Sequence, residues 1–194
     1  MDRPSALLLA GGTSRRMGQD KASLDFGGKS LLARVVGQVL PVVDQLILVL
    51  APGQGFDPRL VAPNLHLITD PKPHLGPLYA ISQAFPLVRA GADRVLVLSC
   101  DLPFLTTAFI GELLQAQEGN ALACACNEEI PNPLLAVYRR DLLAQAKPLF
   151  KAGREDARAL LEDQNPKLLK DRPEARGINS PEAYQAALQE LGLA

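Results

Sequence analysis

Two aspartates and a run of basic side chains stand where short apolar segments end. Residues 5–10 form an apolar run closed by Gly11-Gly12, and Arg15, Arg16, Lys21 and Lys29 follow. Glycine lets backbone N–H groups come close to phosphate oxygens. Arginine and lysine neutralise the charge that builds during phosphoryl transfer. A bare Gly-Gly with basic neighbours reads better as a solvated surface turn; the full pattern at this spacing after a strand points instead to phosphate. Asp101 follows the apolar run 94–100 and is itself followed by Leu102-Pro103. A carboxylate in that place suits Mg²⁺, which takes oxygen ligands and commonly one or two carboxylates with phosphate and water. The plainer alternative is an aspartate that caps its loop. Asp70 closes the run 65–69 in the same way, with a turn before Pro71 as its rival role.

These residues need a frame to bring them together. Residues 5–10, 45–51, 65–69, 94–100, 121–126 and 134–138 read as strands. Apolar positions 31, 32, 35, 36, 39 and 40 have helical spacing, and Pro41 limits that helix. Helices are also expected at 77–90, shortened or kinked by Pro86, and at 106–117 with Thr106 as N-cap. Three more are expected at 141–150, 155–162 and 181–191, the last with Ser180 as N-cap and Pro181 in its first turn. Alternation of this kind predicts one α/β domain over residues 1–194, a Rossmann-like three-layer fold with a mostly parallel sheet and helices on both faces. Such sheets bind ligands beyond the carboxyl ends of their strands. Gly11, Asp70 and Asp101 all fall there.

Composition narrows the partners. Twenty basic against twenty-one acidic residues in 194 give a net charge of −1, which offers no general attraction to nucleic acid or to an anionic membrane. No window reaches the ~18 continuous apolar residues of a membrane span, and the run before Gly11 is short for a secretory segment. A cytoplasmic protein is expected. Three cysteines in no regular spacing make a poor disulfide framework. Cys124 and Cys126 read as core residues of a strand, since His66 and His74 are too few to complete a zinc site.

Two lookalikes fail on inspection. Gly27-Gly-Lys-Ser30 resembles the end of a phosphate-binding P-loop, but position 23 is Ser and no buried strand precedes it. Gly11-Gly12 does not open a G-x-G-x-x-G dinucleotide fingerprint, because Thr13 and Arg16 occupy the later glycine positions. His74, Tyr79 and the pair Arg139-Arg140 have ordinary readings as loop, packing and surface residues.

The segment Leu9-Ala-Gly-Gly-x-Ser-x-Arg-Met-Gly-x-Asp-Lys21 resembles the signature of the molybdenum cofactor guanylyltransferases, nucleotidyltransferases of Rossmann-like fold. Gly76-Pro-Leu78, Cys100-Asp-Leu-Pro103, the block from Asn132 to Arg140 and Ile178-Asn-Ser-Pro-Glu182 extend the resemblance over the chain. It departs at Tyr79-Ala80, where family members often carry Ala-Gly, and at Gly177 and Ser180, where Asn and Thr are usual. Both departures fall where the resemblance places substrate contacts. The resemblance implies GMP transfer from Mg·GTP to the terminal phosphate of molybdopterin, with release of pyrophosphate. It implies that Leu9, Ala10, Gly11, Gly12 and Asp70 meet the nucleotide, that Arg16 and Lys21 hold the triphosphate, and that Asp101 holds Mg²⁺. Asn179 falls on the pterin side, and proteins that deliver or accept the cofactor are implied as transient partners. Related cytidylyltransferases tend to carry Ala in place of Gly11, so a methyl there is expected to hinder the purine and Gly11 to favour guanine. A cytidylyl- or sugar-phosphate nucleotidyltransferase and a non-catalytic nucleotide-binding regulator are the alternatives. Joint presence of Arg16, Lys21 and Asp101 weighs against the regulator, which needs no metal carboxylate.

Overall fold

The computed structural model describes residues 3–11, 20–57, 59–72, 74–127 and 129–194. Strand β1 (Ser5–Leu9) is followed by helix α1 (Leu31–Val39), strands β2 (Gln45–Leu50) and β3 (Leu65–Thr69), and helix α2 (Gly76–Ala84). Then come β4 (Arg94–Ser99), α3 (Thr107–Gln117), β5 (Leu122–Asn127) and β6 (Ile130–Arg139). Short helices α4 (Arg140–Leu143) and α5 (Ala146–Lys151), strand β7 (Lys167–Lys170) and helix α6 (Pro181–Glu190) complete the chain. The described residues form one seven-stranded sheet in the order β3-β2-β1-β4-β6-β5-β7.

The pairings β1 with β2, β1 with β4, β2 with β3 and β5 with β7 are parallel, whereas β6 runs antiparallel to both β4 and β5. The reversal has a local cause. Only residues 128–129 join β5 to β6, and so short a link allows a hairpin but no crossover. Glu129 takes a φ of 65° in that link.

Side chains alternate across the sheet, and both faces are buried. Along β1, Ala6 and Leu8 join the core under α1, α3 and α6, while Leu7 and Leu9 join the core under α2, α4 and α5. This is the expected architecture, a mostly parallel sheet with helices on both faces. Hydroxyls of Ser30, Thr106 and Ser180 cap α1, α3 and α6 by accepting from the N–H of Ala33, Phe109 and Ala183. Each such cap stabilises its helix by roughly 1 kcal/mol.

Four expected elements differ in extent, the strand read over 134–138 among them, which is the longer β6. The helix read over 141–150 is two short helices, because Pro148 has no N–H to bond the Ala144 carbonyl and sits instead in the first turn of α5. Residues 155–162 hold only a 3₁₀ turn, Ala157–Leu160, capped by Asp156. The segment read over 77–90 stops at Ala84 for the reason foreseen, with Pro86 inside a following 3₁₀ turn. Strand β7 was not expected at all. It is an edge strand of four residues with a lysine at each end, which blunts its pattern and guards its open side.

Gly76 opens α2 at φ +81°, and a Cβ there would lie 2.6 Å from the Glu155 carbonyl oxygen. That carbonyl accepts from Leu78 N–H at 3.1 Å, so Gly76 lets a distant loop satisfy an orphan donor of the helix. The Gly-Pro-Leu block is thereby accounted for in backbone terms.

Candidate active site

Strand β1 is the switch point of the sheet. From it the chain moves outward to β2 and β3 on one side and then to β4 on the other, which opens a crevice between the carboxyl ends of β1 and β4. Leu9 lies opposite Ser99 there, and Cys100 N–H donates to the Leu9 carbonyl at 3.1 Å. Asp101 follows directly. Its side chain is held from both sides: Ser99 Oγ donates to Oδ1 at 2.6 Å, and Lys21 Nζ stands 3.4 Å from Oδ2. Ser99 and Asp101 are two residues apart at a strand end, so they share a face. That spacing was readable in the sequence, yet Ser99 was missed.

Lys21 comes from a 3₁₀ turn, Lys21–Ser23, whose N-cap Asp20 accepts from Ala22 N–H. Its ammonium donates to Asn179 Oδ1 at 2.7 Å as well as pairing with Asp101. Side chains of Lys21 and Asp101 keep about a fifth of their surface exposed (19% and 22%), so the pair is shielded but reachable. Asn179 arrives from the far end of the chain. Ile178 N–H donates to the Asp101 carbonyl at 3.0 Å, and Ser180 then starts α6. A Cβ at Gly177 would come within 3.3 Å of Asp101 Oδ2. Glycine there leaves the carboxylate uncrowded, and Ser180 supplies the capping hydroxyl that threonine would.

Lys21, Asp101 and Asn179 therefore meet in one place. Arg16 and Gly12, and Arg15 with them, lie outside the described residues. Lys29 is exposed, and its carbonyl accepts from Phe26 N–H in the turn before α1. Asp70 is buried at the end of β3, two strands from β1; its N–H donates to the Leu50 carbonyl and its Oδ1 accepts from Lys72 N–H. The turn-forming role is thus present at Asp70. His74 is exposed, Tyr79 packs against Phe150 with ring centres 5.0 Å apart, and Arg139 pairs with Asp141. Arg140 donates to the Arg89 carbonyl and stacks over Phe85 at the opposite end of the sheet. Gly27-Gly-Lys-Ser30 is the turn that leads into the α1 cap, with both glycines at positive φ.

Backbone groups at the end of β1 are already engaged. Ala10 and Gly11 N–H groups both donate to the Val49 carbonyl, at 2.9 and 3.2 Å. Gly11 also has a steric reason within the protein itself. A Cβ at Gly11 would sit 2.9 Å from Ala51 N, against the backbone of the neighbouring strand end. Gly11→Ala is therefore expected to lower kcat/KM for GTP and CTP by similar factors and to cost ~1–3 kcal/mol by overpacking. Parallel measurement of both substrates and of Tm checks this; a selective loss of GTP would support the purine contact instead.

Oxygen chemistry at Asp101 fits a magnesium ion. Among the described residues no three His, Cys, Asp or Glu side chains cluster as a metal cage, so an ion held by Asp101 would take further charged ligands from the nucleotide's phosphates. The cysteines do not compete. All three are free and buried, and burial pushes the Cys100 thiol up to about 12.

Residues 6–168 match the MobA-like NTP transferase domain family. The chain is 33% identical over 192 residues to the probable molybdenum cofactor guanylyltransferase of Synechococcus elongatus, covering 94% of this chain and 96% of that protein. A relative of the same name from Mycolicibacterium paratuberculosis is 34% identical over 162 residues, 81% of this chain and 80% of its own. Molybdopterin-guanine dinucleotide biosynthesis protein A from Archaeoglobus fulgidus superposes with a TM-score of 0.74 at 20% identity, over 98% of this chain and 100% of that one. A 4-diphosphocytidyl-2C-methyl-D-erythritol synthase from Anaerococcus prevotii superposes with a TM-score of 0.78 at 13% identity, over 98% and 99%. Backbone likeness is thus shared by proteins named for guanine and for cytosine nucleotides, and shows the fold alone. With the family match over most of its length and relatives at this identity, the chain belongs to the MobA-like NTP transferase domain family and is a nucleotidyltransferase.

Proposed function

We propose that the protein transfers GMP from Mg·GTP to the terminal phosphate of molybdopterin and releases pyrophosphate. The observation that carries this reading is the meeting of Lys21, Asp101 and Asn179 at the β1/β4 switch point. Crevices at such points take nucleotides, and the relatives' names supply the substrates.

In the proposed reaction a terminal phosphate oxygen of the pterin attacks the α-phosphorus in line while the bond to the β-phosphate oxygen breaks. Positioning and charge neutralisation are the protein's main contributions. Asp101 would hold Mg²⁺, and the ion when bound would screen the negative charge of the triphosphate. Lys21 holds the phosphate oxygens next to it, and Arg16 is proposed to do the same from the glycine-rich loop. Leu9, Ala10, Gly11, Gly12 and Asp70 are proposed to line the nucleoside side, and Asn179 the pterin side. No general base is required, because a phosphate nucleophile is already ionised at neutral pH. Among the described residues no helix is long and apolar enough to cross a membrane. A cytoplasmic location is proposed, where unpaired buried cysteines stay reduced, with transient contacts to proteins that deliver or receive the pterin.

Equilibrium binding with each of the four Mg·NTPs tests the nucleotide side. GTP should bind at least about 10-fold more tightly than CTP, a difference of ~1.4 kcal/mol. Equal affinity for GTP and CTP, or a preference for CTP, contradicts the guanine assignment.

A further inference from the structure

The segment between Gly11 and Asp20 joins strand β1 to the turn that carries Lys21, and one side chain from elsewhere grips both of its ends. After β2 the chain turns at Ala51-Pro-Gly-Gln54, with Gln54 N–H donating to the Ala51 carbonyl at 3.1 Å and Gly53 at φ +73°. Proline second and a positive-φ glycine third is the pattern of a type II turn. It folds Gln54 back over the strand ends. There Gln54 Oε1 accepts from Ala51 N–H at 2.9 Å, while Nε2 donates to the Ala10 carbonyl at 3.0 Å. The same Nε2 reaches Asp20 Oδ2 at 3.0 Å and Oδ1 at 3.2 Å. Asp20 Oδ1 also caps the Lys21 turn through Ala22 N–H at 3.0 Å.

We propose that Gln54 is a positioning residue: its carboxamide staples Ala10 to Asp20 and so fixes where Lys21 stands relative to Asp101. An amide meets the demands of the place. Ala51 N–H can only donate, and the Ala10 carbonyl and Asp20 carboxylate can only accept, so the side chain must do both. A carboxylate at position 54 would lose the donor and face Asp20 with like charge. An apolar side chain of equal length would leave all the partners without it. Gln54 acts through Asp20 and touches no reacting atom. The inference deepens the proposed function, since it rests on Lys21 as a phosphate-holding residue.

Gln54→Met keeps the length and removes the bonds; Gln54→Glu keeps the acceptor and removes the donor. Both should lower kcat for nucleotide transfer about 10-fold or more, with KM for GTP changing less, since misplacing a charged group near the reacting atoms acts mainly on the transition state. Tm should move by only a few degrees for a partly exposed turn. Asp20→Asn placed in the Gln54→Glu background reverses donor and acceptor across the bond and should restore much of the lost kcat. Within Gln54→Glu itself, repulsion from Asp20 raises the new carboxyl's pKa, and its protonated form regains a donor. Its kcat relative to wild type should therefore rise from about pH 8 to about pH 5.5. A fourth readout needs no substrate: trypsin should cut native Gln54→Met after Arg15 or Arg16 several-fold faster than wild type. Wild-type kcat in Gln54→Met with unchanged cleavage overturns the proposal. So does a loss in all variants that neither the Asp20→Asn exchange nor low pH repairs. If the wild-type protein transfers no nucleotide, the functional reading fails, and the cleavage rates decide on the staple by themselves.

Discussion

Asp101→Asn is expected to fold and to lose nucleotide transfer by at least about 10²-fold, the scale set by removing one preorganised charge-stabilising group from a reaction centre. The fold should survive because the anchors at this position do not need the negative charge. The backbone carbonyl of Asp101 accepts from Ile178 N–H, and Ser99 Oγ can donate to an amide oxygen as it does to Oδ1. What changes is the second oxygen. An amide nitrogen facing Lys21 would set donor against donor, so the lysine should lean toward Asn179, which already accepts from it at 2.7 Å. The carboxylate that would hold Mg²⁺ is then gone. Steady-state turnover across a Mg²⁺ titration, with Tm as control, checks the expectation. Wild-type turnover in a folded Asp101→Asn protein removes Asp101 from the mechanism.

Lys21→Ala should act more on kcat than on KM. In the proposed reaction the ammonium holds triphosphate oxygens, and negative charge on the leaving oxygens increases as the α-phosphorus is attacked. A group that meets growing charge contributes more to the transition state than to the bound substrate. We expect kcat to fall about 10²-fold with KM for GTP rising less than about 10-fold. The variant also separates two roles in the present geometry, because Asp101 keeps Ser99 as a partner when the lysine is removed. Full turnover per bound GTP, with binding alone weakened, would make Lys21 an anchor of the ground state.

Much of this arrangement was legible in the residues because each signal was local. The apolar run of β1 ends in glycines, the run of β4 ends in Asp101, and Thr106 and Ser180 mark helix starts through hydroxyls that accept from nearby N–H groups. Local signals misled where a backbone group had to be traced through the chain. Pro148 splits the helix expected at 141–150, and Pro131 and Pro133 hid the first half of β6. In β6 those prolines lie beside the register shift opposite Cys124 and Cys126, where the regular ladder is already broken. The site's other parts depend on long-range closure. Asn179 reaches Lys21 from 158 positions away, and Gln54 reaches Asp20 across 34. No spacing rule brings such residues together; the sheet order does. Gly11 shows the opposite case. Its identity invited a reading in terms of the purine, yet the Ala51 backbone is what a side chain there would meet.

Label transfer tests the central claim most directly. Wild-type protein, Mg²⁺ and molybdopterin are incubated with GTP labelled at the α-phosphate or, separately, at the γ-phosphate, and the pterin product and the released phosphate species are separated. The expected result is α-label in a pterin-guanine dinucleotide and γ-label in pyrophosphate, in equal amounts, with CTP replacing GTP poorly. Label remaining in GTP, transfer of the γ-phosphate, or preferential incorporation from CTP would contradict guanylyl transfer by this protein.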